Sequence, residues 1–475
     1  MNMYYPSQYN HLFETTTANG KPVRLLSNLF FGASIQVNAK VYKVFKEAEI
    51  NGSIQGKYLS ADVWQYFLDK GFVWTEATSE DATIKSLFRR QFNGDAIAAH
   101  LKGGDYGFIT SLNCNLACPY CFQRSKADSC GFLTRQQVDL AFNVIESRET
   151  KIKSLVKEDK GFLPKISITG GEPLLPNKAN LEVLEYLLER LGDLQWPYSI
   201  TTNGTELAKF VKNRSLEKNC NHIQVTLDGS AEIHDRRRCF RNGAPSFEKI
   251  CSGIDAALSA NWPIVLRVNL DIDSVKFISQ LSQFVQKQGW CNNQHFYAYV
   301  SPVTDHGNIG DYENPNEADL LVKLLDILQE SPEVREVFDI RHFRGFSYVE
   351  QMLNKKPRYP IFYRCEAVRE MYIFDPKGDI HVCLEAVGDR SFRIGTYDPS
   401  LSLNDASVTK WTQRSVMDLD NCRNCKVRFI CSGGCAFEGF NYPEKIHCMP
   451  FLEEIDIAWE YYVKTKPELF KGSAL

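Results

Sequence analysis

No run of about 18 apolar residues occurs in the 475-residue chain, so no membrane-crossing helix is expected. The first ten residues, MNMYYPSQYN, lack the basic stretch and apolar core of a secretory signal. Neither sign of charge is in large excess: 55 Lys and Arg stand against 58 Asp and Glu, so no positive field draws in nucleic acid. Cysteine is missing from the first 113 residues. These absences predict a cytoplasmic protein with no membrane and no nucleic-acid partner. In that reducing setting, clustered cysteines serve metal or redox chemistry before disulfides.

What is present is an odd total of 15 cysteines in a chain of otherwise ordinary globular composition. The length excludes a small disulfide scaffold and suits several domains of roughly 100–200 residues each. Cys114, Cys118 and Cys121 form one group. Cys365, Cys383, Cys422, Cys425, Cys431, Cys435 and Cys448 form a second. Cys130, Cys220, Cys239, Cys251 and Cys291 are scattered, and read as small buried apolar residues.

Residues 1–100 read as an α+β unit. A hairpin is expected from Pro22–Phe30 and Ser34–Ala39 around Gly32, followed by helices over Val41–Ile50 and Ser60–Phe72. That pattern suits a winged-helix-like peptide-recognition module, and equally a cap on the next domain. Over 101–300, six β-branched runs alternate with amphipathic helical patterns: Tyr106–Thr110, Lys165–Thr169, Tyr198–Thr202, His222–Leu227, Pro263–Leu270 and His295–Val300. Such alternation predicts a parallel α/β sheet, here an open, partial (β/α)6 barrel. Polar signatures follow the first four runs (CNLACPYC, GGEP, TNG and DG), which places them on the rim where barrel sites form. Residues 301–364 read as a helical bridge, 365–450 as a cysteine-rich domain, and 451–475 as a C-terminal segment with a helix at Trp459–Lys464.

Cys114-x3-Cys118-x2-Cys121 offers three thiolates on one loop. Structural zinc takes four ligands, whereas three suit a [4Fe–4S] cluster with one open iron. Tyr120 stands beside the last cysteine. Together with Gly170-Gly171-Glu172-Pro173 after the second run, this pattern resembles the radical S-adenosylmethionine (SAM) superfamily. The resemblance implies that GGEP meets the methionine amine, with glycines permitting close approach and Glu172 accepting from the ammonium. It implies nucleobase stacking for Tyr120, and SAM contacts from Thr201, Thr202, Asn203, Thr226 and Arg238. It further implies that SAM chelates the open iron, takes one electron and breaks to methionine and a 5′-deoxyadenosyl radical that abstracts hydrogen. No catalytic base stands out. Glu385, Asp228 and His381 lie near the implied site loops.

Cys365-x12-Gly378-x4-Cys383, then Cys422-x2-Cys425-x5-Cys431-x3-Cys435, then Cys448, resembles the SPASM domain of radical SAM enzymes; a zinc domain is the rival reading of the CxxC pairs. The resemblance implies two auxiliary [4Fe–4S] clusters, three clusters in all. By order, Cys365, Cys383 and Cys435 would hold the first, and Cys422, Cys425, Cys431 and Cys448 the second. The fourth position of the first would be open, filled by a substrate thiolate, or filled by a distant residue such as Cys130.

Most SPASM enzymes with known substrates act on peptides or proteins. The expected function is therefore a maturase that installs a thioether, C–C or C–O cross-link in a ribosomally made peptide. Its partners would be a peptide with a leader segment and a reductant such as flavodoxin or ferredoxin. The leader would add a strand to the N-terminal hairpin. One alternative is formylglycine formation, as in anaerobic sulfatase maturases. That family carries Asp directly after the GX4C cysteine, where this chain has Leu384 and then Glu385. A third alternative is a non-catalytic iron–sulfur or zinc protein.

Overall fold

Alternating apolar and polar residues build the N-terminal strands: β1 (Met3–Pro6), β2 (Asn10–Thr16), β3 (Pro22–Asn28), β4 (Ala33–Gln36), β5 (Ile54–Gln55) and β6 (Val73–Trp74). They form two antiparallel sheets, ordered β5-β1-β6 and β2-β3-β4. The expected hairpin is β3–β4; β1 and β2 were not foreseen. Helix Ala39–Asn51 starts where the Asn38 side chain accepts the Val41 N–H, and it stops at Gly52 in a left-handed conformation. Its buried face meets Trp64 and Phe67 of helix Ala61–Asp69 in a small core with Tyr4, Leu26 and Phe72.

The computed structural model describes residues 2–92, 104–123, 126, 131–155, 163–304, 316–356, 360–365, 367, 371–442, 448–470 and 475. The six expected runs become six parallel strands: β7 (Asp105–Ile109), β8 (Lys165–Thr169), β9 (Tyr198–Thr201), β10 (Cys220–Thr226), β11 (Ile264–Leu270) and β12 (Phe296–Pro302). Each pairs with the next in sequence, as successive βα units require. Amphipathic helices between them, such as Lys178–Leu194 and Phe247–Ser259, bury their apolar faces against the sheet.

The sheet does not end at β7. Strand β13 (Tyr372–Phe374) pairs parallel to β7, aligning Tyr372 with Tyr106 and Phe374 with Phe108. Strands β14 (Asp379–His381), β15 (Gly395–Thr396) and β16 (Ser402–Leu403) then extend the sheet antiparallel to ten strands. The cysteine-rich region is thus joined to the barrel by a backbone ladder.

The final helix is Phe451–Thr465, longer than expected, and buries Phe451, Ile455, Ala458, Trp459, Tyr462 and Val463 on one face. It crosses helix Arg344–Leu353 at Gly345, where a Cβ would stand 2.4 Å from that of Glu454. The N-terminal unit packs against this assembly. Tyr348 Oη donates to the Leu29 carbonyl at 2.8 Å, and Tyr9 and Phe30 share a cluster with Phe362 and Phe429. Among the scattered cysteines, Cys220 and Cys251 are buried as expected. Cys239 is only half-buried and Cys291 is exposed, so the packing expectation fails for Cys291, which follows Trp290 in a surface turn. Cys130 lies outside the described residues.

Candidate active site

The loop after β7 carries Cys114, Cys118 and Cys121, and the loop after β8 locks onto it. Gly171 N–H donates to the Ser111 carbonyl and Glu172 N–H to that of Asn113, both at 2.8 Å. A Cβ on Gly170 would stand 2.3 Å from Ser111 O, and one on Gly171 2.2 Å from Asn113 O. The two glycines are therefore required first by the cysteine loop.

Glu172 is fully buried. Its Oε1 accepts from Thr202 Oγ1 (2.6 Å) and Leu174 N–H (2.8 Å), and its Oε2 from Asn203 N–H (2.6 Å). A carboxylate has about four acceptor sites, so one remains for an ammonium. Burial pushes the Glu172 pKa up to about 7, against the downward pull of those three bonds. The carboxylate thus ties the second rim loop to the third. Asn203 continues the tie: its Nδ2 donates to Asn115 Oδ1 at 2.7 Å and to Cys114 Sγ at 3.6 Å. Asn115 Nδ2 in turn donates to Thr205 Oγ1 at 2.9 Å. Thr201 ends β9 with its side chain exposed, apart from this network.

Tyr120 is the hub on the other side. Its hydroxyl donates to Asp228 Oδ2 and accepts from Arg238 Nη1 at 2.7 Å. Asp228 Oδ1 accepts the Asn269 N–H at 3.2 Å. Arg237 lies over the Tyr120 ring, 5.0 Å from its centroid, and pairs with Asp271. Thr226 is buried at the end of β10, in register with Arg267 of β11. Burial opposes the Arg238 charge, yet Cys118, Tyr120 and Asp228 hold its pKa well above the ordinary value. Sequence reasoning missed Arg237, Asn269 and Asp271. The last two sit at the end of the fifth parallel strand, where the rim rule that located GGEP and TNG would have found them.

Burial lifts the Cys114 thiol to about 12 and raises Cys118 as well. Metal binding would have to strip those protons. Zinc bonds of ~2.3 Å place four thiolates about 3.8 Å apart. Among the described residues, no three cysteine sulfurs lie within 4.8 Å of one another. Three thiolates on one loop, short of the four that structural zinc takes, suit a [4Fe–4S] cluster with one open iron. Leu116 N–H and Asn203 Nδ2 already point at Cys114 Sγ, at 3.4 and 3.6 Å.

The second cysteine group separates into two sets. Cys383, raised to about 12 by burial, interacts with Cys435 and Cys365. Cys422 interacts with Cys431, Cys425 and Cys448, and Cys425 with Cys431 and Cys448. One group of described residues does have single-ion spacing: Asp375, Asp379 and His381, all buried. Arg390 and Arg393 already neutralise Asp379, at 2.8 and 2.6 Å, and His381 Nε2 sits 3.4 Å from Asp375. His381 therefore belongs to the hairpin interior. Glu385 meets the cysteine loop through its carbonyl, which accepts from Lys126 Nζ at 2.5 Å.

Residues 108–272 match the family model for the Radical SAM superfamily. The chain carries a radical SAM domain. Its similarities extend further. It is 27% identical over 341 residues to a cysteine-type anaerobic sulfatase-maturating enzyme of Clostridium novyi (strain NT), covering 68% of this chain and 85% of that one. It is 21% identical over 426 residues to the radical SAM cyclopropyl synthase TigE of Paramaledivibacter caminithermalis, covering 85% and 84%. In fold it is similar to Streptococcus suis SuiB bound to precursor peptide SuiA, with TM-score 0.51 and 14% identity over 92% of this chain and 97% of that one. The radical SAM domain implies SAM and a [4Fe–4S] cluster as cofactors. No helix among the described residues is long and apolar enough to cross a membrane.

Proposed function

We propose that this radical SAM enzyme is a peptide maturase that abstracts hydrogen from a ribosomally made peptide and installs an intramolecular thioether, C–C or C–O cross-link. One observation carries the reading: the outer edge of β4 takes an added backbone. Leu475 N–H donates to Gln36 O at 3.2 Å, and Asn38 N–H donates to Leu475 O at 2.7 Å. Backbone groups at this edge that pair with Leu475 are suited to pair with a peptide leader in its place. The likeness to SuiB covers 92% of this chain, so it takes in most of this N-terminal unit.

In this reading Cys114, Cys118 and Cys121 hold the SAM cluster. Cys365, Cys383 and Cys435 hold one auxiliary cluster of a SPASM-type domain, and Cys422, Cys425, Cys431 and Cys448 the other. Together the SAM cluster and SAM supply a carbon radical able to take hydrogen from an unactivated position. The chain's own residues arrange the rim. Gly170 and Gly171 bring the second loop against the first. Glu172 fixes Thr202 and Asn203. Tyr120, Asp228 and Arg238 close the opposite side over Cys118. Pro173, Thr201 and Thr226 stand on the same rim and would complete the SAM contacts. A flavodoxin or ferredoxin would supply the electrons.

The named activity of the Clostridium novyi relative favours a second reading, formylglycine formation. Leu384 opposes it, because an aliphatic side chain cannot act as the base expected after Cys383. The deciding experiment combines the anaerobically reconstituted protein with SAM, dithionite and a peptide encoded beside its gene. Loss of two hydrogens within one peptide supports the maturase. Conversion of a sulfatase-type cysteine peptide to an aldehyde supports the rival. No 5′-deoxyadenosine with either peptide rejects both.

A further inference from the structure

Arg414 follows helix Asp405–Thr412 and reaches the turn that joins the two auxiliary cysteine sets. That turn is Ser432-Gly433-Gly434, all three left-handed at φ 57°, 80° and 70°. Cys431 on one side of it belongs to one set, and Cys435 on the other side to the second. Arg414 Nη2 donates to the Gly433 carbonyl at 2.9 Å. Space for the guanidinium is left by Gly439, where a Cβ would stand 2.8 Å from Nη2. The Phe440 ring lies 5.8 Å below it. Among the described residues no carboxylate pairs with Arg414. A half-buried guanidinium without a counter-ion is costly unless something anionic lies nearby. Burial pulls its pKa down, while Cys435, Cys365, Cys422 and Cys431 pull it up, two from each set.

We propose that Arg414 is a positive charge shared by both auxiliary sites, and that it sets their reduction potentials together. The inference rests on the two-auxiliary-cluster reading above. A thiolate-ligated cluster is anionic, and reduction adds one more negative charge. A fixed cation in a partly desolvated position favours the reduced form, so the potential rises. Because the guanidinium stands at the turn between the sets, removing it lowers both potentials. Arg414 is thus a positioning residue that acts through the clusters, with no contact to substrate.

The test is EPR-monitored redox titration of the reconstituted full-length protein: wild type, Arg414→Gln, Arg414→Met and Arg414→Lys, each with iron counted. Expected are about twelve irons in the wild type, in line with three cubanes. Both auxiliary potentials should move negative in Arg414→Gln and Arg414→Met, and return towards wild type in Arg414→Lys. The SAM-cluster potential should stay in place throughout. Full iron with unmoved potentials, or a shift at one auxiliary site alone, overturns the shared-charge role and leaves the cluster reading standing. About four irons in the wild type overturns the cluster reading itself. Loss of auxiliary iron in both Arg414→Gln and Arg414→Met shows a purely structural residue and also overturns the proposal.

Discussion

Gly171 and Asn113 meet so closely that a Cβ on the glycine would stand 2.2 Å from the Asn113 carbonyl oxygen. Backbone faces backbone there, and no side chain can swing aside. Gly171→Ala is expected to displace the cysteine loop. It should cost about 1–3 kcal/mol, as overpacking of a tight site does, and cut 5′-deoxyadenosine formation by roughly tenfold or more. Thermal unfolding and product assay of the reconstituted variant check both.

Cys118→Ala should abolish SAM cleavage, because the loop is left with two thiolates. Cys425→Ala removes a residue from one auxiliary set only, so some SAM cleavage should persist while modified peptide disappears. Parallel chromatography of 5′-deoxyadenosine and mass spectrometry of the peptide separate the two outcomes. Wild-type peptide yield from Cys425→Ala would count against the auxiliary assignment.

Tyr120→Phe removes the hydroxyl that joins Arg238 to Asp228. Arg238 Nη1 then loses its partner, worth about 1–3 kcal/mol for a buried site, while Asp228 Oδ2 keeps Arg237 Nε at 3.6 Å. The expected signature is weaker SAM binding with the cluster still assembled. Isothermal titration with SAM and iron counting measure the two separately.

His234 sets a pH dependence of stability. It is fully buried, accepts the Asp228 N–H at Nδ1 (3.2 Å), and meets Ser246 Oγ at Nε2 (2.9 Å). Since Nδ1 accepts, Nε2 carries the proton and donates to Ser246, whose hydroxyl donates onward to the Arg238 carbonyl at 2.5 Å. Burial, helped by Arg238 and Arg237 and opposed by Asp228 and Asp235, lowers its pKa to about 4. Between pH 6.5 and 4 the unfolded chain therefore binds more protons than the folded one. The contribution is complete above pH 6.5 and falls away towards pH 4, by about 3 kcal/mol in all. Urea midpoints across that range should show a shallower fall for His234→Asn than for the wild type.

A leader peptide docking beside β4 should slow exchange of the Ala33–Gln36 amides and displace Leu475, to whose carbonyl the Asn38 N–H already donates. Hydrogen–deuterium exchange with and without a leader peptide reads this directly, and unchanged exchange would reject the edge as the docking place. Deleting residues 1–92 is a poorer test. The truncation strips Tyr9 and Phe30 from Phe362 and Phe429, and so damages the cysteine-rich region as well.

Much of the site was legible because its parts are local in sequence. A β-branched run followed by a polar signature reports a strand end without further context, and GGEP, TTN and the cysteine loop fell where that rule placed them. Glu172 shows the limit. Its residue type suggested a ligand for an ammonium, whereas three of its acceptor sites serve Thr202, Asn203 and Leu174. Long-range polar partners such as Asn269 and Asp271 carry no motif and become visible only when β10 and β11 lie side by side. The β7–β13 pairing was equally hidden, since it joins segments more than 250 residues apart and Tyr372–Phe374 is too short to announce a strand.

That pairing has a further consequence. Electrons tunnel between centres at rates that fall steeply with separation, and loosely tethered lobes would make such a rate fluctuate. Here Cys114 follows β7 and Cys383 follows β14, with β13 paired between them in the same sheet and β14 running antiparallel to β7. The hydrogen-bonded ladder acts as a ruler between the two thiol loops, so their spacing is a property of strand geometry, and a one-residue slip of β13 would change it.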